Sequence, residues 1–292
     1  MFEQLGLIGC GLMGGSFALA LKRAGLVKRV VGYSKSPSTT ERARQMGVID
    51  VEAPSALLAV SGADIVLLAV PVSATEATFN AIRHLITAKT LVMDVGSTKR
   101  DVVDAARRVL RDNVGCFVPA HPITGKELSG VEHADGNLYT GKQVILTPIE
   151  RTYAAQLNKA ISLWTALGCN VVQMSPHAHD AAYAAVSHLP HLIAFTLMNS
   201  ISGQSQGADF LSLAGPGFRD FSRIAASDSK MWRDILIANR EELLAQSKIF
   251  QQTLQSLEKL IAASDGDALE RQLEKASDTR ANWRLSTQKP HK

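Results

Sequence analysis

Leu5-Gly6-Leu7-Ile8-Gly9-Cys10-Gly11-Leu12-Met13-Gly14-Gly15-Ser16 is the stretch on which the fold turns. The apolar run Leu5–Ile8 passes into Gly-x-Gly-x-x-Gly and then into Ser16–Ala24, whose apolar residues have helical spacing. Strand, glycine turn and helix in that order are the fingerprint of a dinucleotide site. The first glycine permits the tight turn, the second lets a pyrophosphate approach the backbone, and the third lets helix and strand pack closely. Free N–H groups and the positive end of the helix dipole then bind the phosphates. Gly9, Gly11, Leu12, Met13 and Gly14 are therefore candidate cofactor contacts. A merely structural turn is the alternative, but the turn lies between a strand and a helix, with the next strand on schedule.

Working outward, β-rich apolar runs recur at Arg29–Tyr33, Asp64–Val70, Thr90–Val95, Cys116–Ala120, Gln143–Thr147 and Asn170–Met174. Amphipathic stretches such as Ser73–Ile86 and Arg151–Leu167 separate them. Near-continuous apolar runs are expected of strands covered on both faces, so the pattern predicts a doubly wound, mostly parallel α/β sheet. After Pro176 the strands stop, and helices follow, broken by Gly203, by Gly215-Pro216-Gly217 and by Asp265-Gly266-Asp267. This divides the chain into a nucleotide-binding domain, residues 1–176, and a helical domain, residues 177–292. Lys230–Ala262 reads as one long helix with Ser227 or Asp228 as its N-cap. Its apolar positions cover more than one stripe, which calls for partners on two sides: a dimer interface, or the centre of a monomeric bundle. The polar, basic tail Ser277–Lys292 is expected to fray.

Composition bounds the function. The 292 residues suffice for about two domains. Apolar types make up 46 % and charged types 20 %, a globular rather than a disordered mix. A net charge of +4 without a basic block or stacking motif argues against nucleic acid. The longest apolar stretch, Ala63–Val72, is about half a membrane span and contains Asp64 and Pro71. No secretory signal is readable, and three scattered cysteines suit a reducing compartment, so a cytoplasmic location is expected.

A site for NAD places an acidic residue about 20 residues beyond the glycine turn, to hold the ribose 2′-hydroxyl. Here that position falls on Ser34-Lys35-Ser36, and no acidic residue occurs between Gly15 and Thr40. A carboxylate would repel a 2′-phosphate, whereas Lys35 with the Ser34 and Ser36 hydroxyls can bind one. NADP is therefore favoured, with NAD as the alternative and an ordinary solvated turn as the bland account.

Four further constellations can carry chemistry. Asp94-Val95-Gly96-Ser97-Thr98-Lys99 ends a strand at the cofactor edge, where Ser97 or Thr98 would cap the next helix while facing the cleft. His121-Pro122, with Glu127 behind it, offers a general base and an orienting carboxylate, or else a structural histidine. Asp180, Ala184, His188 and His191 share one helix face, which Pro190 kinks. Reading His177, His179, Asp180, His188 and His191 as metal ligands matches no defensible spacing, so no metal is expected. Gly217-Phe218-Arg219-Asp220-Phe221-Ser222-Arg223 supplies Arg223 as a buried fork for a substrate carboxylate, with Trp232 as a wall of that pocket or a core residue.

Taken in order, Gly11–Ser16, Asp94–Lys99, His121–Glu127, Ser187–His191 and Gly217–Arg223 resemble the prephenate/arogenate dehydrogenase family, the cyclohexadienyl dehydrogenases of tyrosine biosynthesis. The resemblance implies a Rossmann-type domain followed by an all-helical dimerisation domain, hence a homodimer with the active site between the two domains. It implies oxidative decarboxylation of a cyclohexadienyl acid with hydride transfer to NAD(P). By motif position, His121 resembles the acceptor of the 4-hydroxyl proton and Ser97 the hydroxyl bridging substrate and nicotinamide. Arg223 and His191 resemble substrate contacts, and Glu127 would orient the His121 network. Ser34-Lys35 resembles the NADP-using members, and Lys126 stands where some members have a small residue. A fused chorismate mutase or regulatory domain is not expected. Two other readings are a β-hydroxyacid dehydrogenase, for which Lys230 is the only well-placed lysine, and a nucleotide sensor without catalysis.

Overall fold

The computed structural model describes residues 1–125 and 128–283. Six parallel strands, β1 (Phe2–Ile8), β2 (Val27–Tyr33), β3 (Val51–Glu52), β4 (Ile65–Leu68), β5 (Leu91–Asp94) and β6 (Phe117–Val118), form a sheet in the order β3-β2-β1-β4-β5-β6. Strand order reverses between β1 and β4, and a crevice at the carboxyl ends of strands there is where such sheets bind ligands. Both faces are covered. Leu5, Leu7, Leu67 and Met93 pack on one side against Phe17 and Leu21 of α1 (Leu12–Arg23). Ile8, Val66, Leu68 and Val92 pack on the other against Phe79, Ile82, Val102 and Ala106. Two-sided burial is why these strands are apolar without alternation. The two-residue β3 is exposed at both positions and left no apolar run to read.

The intervening helices are α2 (Pro37–Gln45), α3 (Ala56–Val60), α4 (Thr75–Ile82), α5 (Arg100–Leu110) and α6 (Ala154–Ala166). The single strand expected over Cys116–Ala120 is divided. Pro119 has no N–H for a ladder, and after it the chain leaves the first sheet to form β7 (Ala120–Pro122). This strand pairs antiparallel with β8 (Gln143–Leu146), which pairs parallel with β9 (Asn170–Gln173). His121 therefore lies within an edge strand of a second, three-stranded sheet, not in a loop beyond the first.

From Pro176 the described chain is helical: α7 (Pro176–Tyr183), α8 (Leu189–Ser202), α9 (Gly207–Ser212), α10 (Pro216–Ser222), α11 (Ser229–Ala238), α12 (Arg240–Ala262) and α13 (Gly266–Asn282). Pro190 cannot donate to the Val186 carbonyl, and the strain is taken up as a π-helical turn, Ala184–His188, that joins α7 to α8. The long helix expected over Lys230–Ala262 is two helices meeting at Asn239 (φ −104°, ψ 29°). Asp228 caps the first, its carboxylate accepting from Met231 N at 2.7 Å.

Candidate active site

The glycine turn is shaped by two contacts and one opening. Gly9 has φ +97°, and a Cβ there would lie 2.2 Å from the Ala69 carbonyl oxygen just past β4. A Cβ on Gly14 would lie 2.0 Å from the Gly9 carbonyl oxygen. Gly11 has open space around it and starts α1 without any side-chain cap. The first-turn N–H groups of α1 are thus uncapped by any side chain beside open space, the arrangement by which a helix start accepts a phosphate. Ser34 accepts a hydrogen bond from Cys10 N at 2.8 Å, tying the end of β2 to the turn and leaving its own O–H to donate. Lys35 and Ser36 are exposed beside it, and the Ser36 hydroxyl lies 2.8 Å from that of Ser38.

Between this turn and the helices lies a chain of hydrogen bonds whose direction follows from its last member. Asp180 at the buried end of α7 accepts from Lys99 N and Arg100 N, each at 2.9 Å. Burial alone would raise its carboxyl pKa, but the bonds from His179 and from these N–H groups outweigh it and hold the group ionised below the usual range. A carboxylate only accepts, so His179 Nδ1, 2.7 Å away, carries the hydrogen. With that tautomer fixed, His179 Nε2 is a lone pair, and His121 Nδ1 at 2.8 Å must donate to it. His121 Nε2 is then left as a basic lone pair. Tyr183 walls the pair, its ring stacked on His179 at 4.5 Å and tilted against His121 at 4.9 Å. Burial, reinforced by the neighbouring His179, the Lys99 cation and His188, pushes the His121 pKa well below 6.5 and keeps it neutral at physiological pH.

Beneath the histidines sits a fully buried cation. Lys99 Nζ bonds the Asp94 carboxylate at the end of β5 and the Ala120 carbonyl at 2.8 Å, immediately before His121. Asp94 also accepts from Ala120 N at 3.0 Å and from Gly96 N at 2.8 Å, which folds the Asp94–Lys99 turn. Ser97 is half-buried on this turn. Neither Ser97 nor Thr98 caps α5, contrary to the expectation from sequence; the cap is the remote Asp180 carboxylate, reaching across from α7. His188, fully buried, lies behind the turn, with its pKa pushed down to about 4, chiefly by burial.

His191 Nδ1 lies 2.9 Å from the Ser187 carbonyl, which can only accept, and its ring stacks on Trp232 at 3.5 Å and 19°. Trp232 is thus both buried and a wall for His191. Arg223 opens a short 3₁₀ turn, Arg223–Ala226, that packs on α8, the helix of His191. It is exposed in the single chain, on a surface turn, so the expected buried fork is not what the structure has. Glu127 and Lys126 lie outside the described residues. Lys230 is exposed at the start of α11. Among the described residues no three His, Cys, Asp or Glu side chains gather as metal ligands. Instead His179 and Asp180 are spent on the relay, a role the sequence reading missed although their adjacency at a helix start was visible. Lys99 and Asp94 were missed as a buried pair because nothing in a polar turn reveals burial.

Residues 17–173 match the family model described as the prephenate dehydrogenase nucleotide-binding domain, and residues 175–275 match the prephenate dehydrogenase dimerization domain. The chain is 34 % identical to prephenate dehydrogenase of Bacillus subtilis over 96 % of its own length and 76 % of that protein's. It superposes on the crystal structure of prephenate dehydrogenase from A. aeolicus in complex with hydroxyphenyl propionate and NAD+ with a TM-score of 0.90. There the identity is 36 %, covering 96 % of this chain and 98 % of the other. Synechocystis arogenate dehydrogenase aligns with a TM-score of 0.81 at 28 % identity, covering 96 % and 99 % of the two chains.

Proposed function

Because this chain belongs to the prephenate dehydrogenase family, we propose that it oxidatively decarboxylates prephenate, L-arogenate or both, in tyrosine biosynthesis. The observation that carries the reading is the relay Asp180–His179–His121, which presents a neutral, basic Nε2 beside a dinucleotide fold. Bound NAD(P)+ supplies the hydride acceptor. His121 Nε2 takes the proton of the ring 4-hydroxyl as the C4 hydride departs, and gives it back to the product oxygen. CO2 leaves from the ring carbon bearing the carboxylate, and its bonding electrons complete the aromatic ring. The positive charge that His121 acquires is stabilised through His179 by the Asp180 carboxylate. Ser97, on the turn below, would offer its hydroxyl to the 4-hydroxyl and the bound cofactor. His191 and Arg223 bind the acid's polar groups.

NADP+ is the preferred cofactor in this proposal. The support is the chain's own β2 end, where Lys35 and the hydroxyls of Ser34 and Ser36 replace a carboxylate; the A. aeolicus structure holds NAD+. The division at residue 176 and a cytoplasmic homodimer belong to the same reading. α12 is a 23-residue helix that buries only Leu243, while Leu244, Ile249, Leu254 and Ile261 are exposed, as a face awaiting a second copy would be. The run Pro176–Ser202 is apolar and long enough to cross a membrane by composition, but His179, Asp180 and His188 within it are committed to buried hydrogen bonds.

The test is a steady-state assay of both substrates with both cofactors. Reduced cofactor should form with at least one substrate, with higher kcat/KM for NADP+ than for NAD+. No reduction from either substrate would overturn the activity, and an NAD+ preference would overturn the role of Lys35. Arg223→Ala is expected to raise the substrate KM roughly tenfold to hundredfold, the loss of a charged hydrogen-bond pair, with a smaller change in kcat. An unchanged substrate KM would remove Arg223 from the site.

A further inference from the structure

Asn239, at the joint between α11 and α12, is 3 % exposed, unusual for an asparagine. Its Nδ2 lies 2.8 Å from the Asp180 carbonyl and 3.0 Å from His188 Nδ1. A carbonyl only accepts, so the amide nitrogen must be the group facing Asp180, and its second hydrogen points to His188. His188 Nδ1 is therefore the acceptor and the ring proton sits on Nε2. That N–H, buried and without a partner in hydrogen-bond geometry, approaches the carbonyl of Ser97. Asp180, the other residue touched by the amide, is the origin of the relay to His121 and the cap of α5. The next turn of α12 reaches the same place, since Glu241 and Glu242 lie 3.4 and 3.5 Å from Arg100.

One side chain thus touches both arms of the site. We infer that Asn239 is a positioning residue: it fixes the His188 tautomer and so holds the Ser97 turn in register with the Asp180–His179–His121 relay. The inference rests on the roles given above to His121 and Ser97. It requires an amide, because only two donors on one nitrogen serve a carbonyl and an imidazole lone pair together. The break between α11 and α12 is where that side chain is delivered.

Asn239→Asp keeps the shape and removes both donors. The introduced carboxylate repels the Asp180 carbonyl and demands a hydrogen on His188 Nδ1. The ionisable groups around His188 are Asp180 and His179 of α7, His191 of α8 and His121 of β7. A singly protonated His188 would then turn a lone pair toward the Ser97 carbonyl; a doubly protonated one would serve the carboxylate and still present Nε2–H to that carbonyl. The expected result is a kcat roughly 10–100-fold below wild type at alkaline pH, a deficit that shrinks as pH falls, and an unchanged KM for NADP+. A profile parallel to wild type would overturn the inference. A second measurement needs no variant: in ¹⁵N-histidine spectra of the wild-type protein, His188 should show the Nε2–H tautomer. The Nδ1–H tautomer would equally overturn the inference, and it decides the matter if Asn239→Asp does not fold. Were wild type to oxidise neither cyclohexadienyl acid, the functional reading would fall while the spectrum still judged the amide's hold on His188.

Discussion

His121→Asn is expected to lower kcat by roughly 10²–10⁴-fold, the usual worth of a positioned general base, and to leave cofactor affinity and fold nearly untouched. The reason lies in what asparagine preserves. Its amide nitrogen can still donate to His179 Nε2, so the relay loses no partner and no buried acceptor is orphaned. What it lacks is a basic lone pair where Nε2 stood. The candidate cofactor contacts Gly9–Gly14 span the turn between β1 and α1 and the start of α1, a segment of the chain separate from β7. Steady-state kinetics with a parallel fluorescence titration of the reduced cofactor separates the two quantities. A variant with wild-type kcat would mean that proton transfer occurs elsewhere.

Lys99→Met should be the most damaging single change to stability, about 3–5 kcal/mol, because it leaves the Asp94 carboxylate buried without its cation. The bonds that Asp94 accepts from Ala120 N and Gly96 N persist, which places the loss toward the lower figure. At about 2–4 °C per kcal/mol for a chain of this size, the melting temperature should fall by roughly 6–15 °C. The double change Lys99→Met with Asp94→Leu should regain only part of that loss, since it removes the uncompensated charge but leaves the Ala120 and Gly96 N–H groups without their acceptor. Activity should not return with it. Lys99 also fixes the Ala120 carbonyl next to His121, and its charge helps hold His121 neutral. Thermal melts of the single and double variants check the stability, and the assay checks the split. A single variant as stable as wild type would show that the pair is not buried as described.

The nucleotide half was legible because its signals are local. Gly9, Gly11 and Gly14 announce a turn, and β1, β2, β4 and β5 announce themselves by apolar runs that need no partner to be recognised. Pro119 and Asn239 mark where reading by runs failed. Each interrupts an otherwise continuous pattern through a contact with distant chain: β8 draws His121 into a second sheet, and Asp180 with His188 draws Asn239 out of a helix. His121 was singled out by its motif, but its hydrogen-bond partner His179, 58 positions on, was not. Capping of α5 went astray in the same way, a local serine being the economical guess where Asp180 does the work from 80 residues beyond Arg100. Hydrogen-bond direction, and with it the identity of the basic nitrogen, exists only once these remote pairs are assembled.

The dependence of wild-type kcat/KM on pH tests the relay most directly, since it reports ionisations of the free enzyme. A base whose folded pKa is depressed stays deprotonated, and active, as pH falls through the ordinary histidine value. The acid limb should therefore have its midpoint below 6.5, with activity still flat at neutral pH, and it should vanish from the residual activity of His121→Asn. A midpoint above 6.5, or the same limb in the variant, would contradict a neutral, half-buried His121 as the proton acceptor.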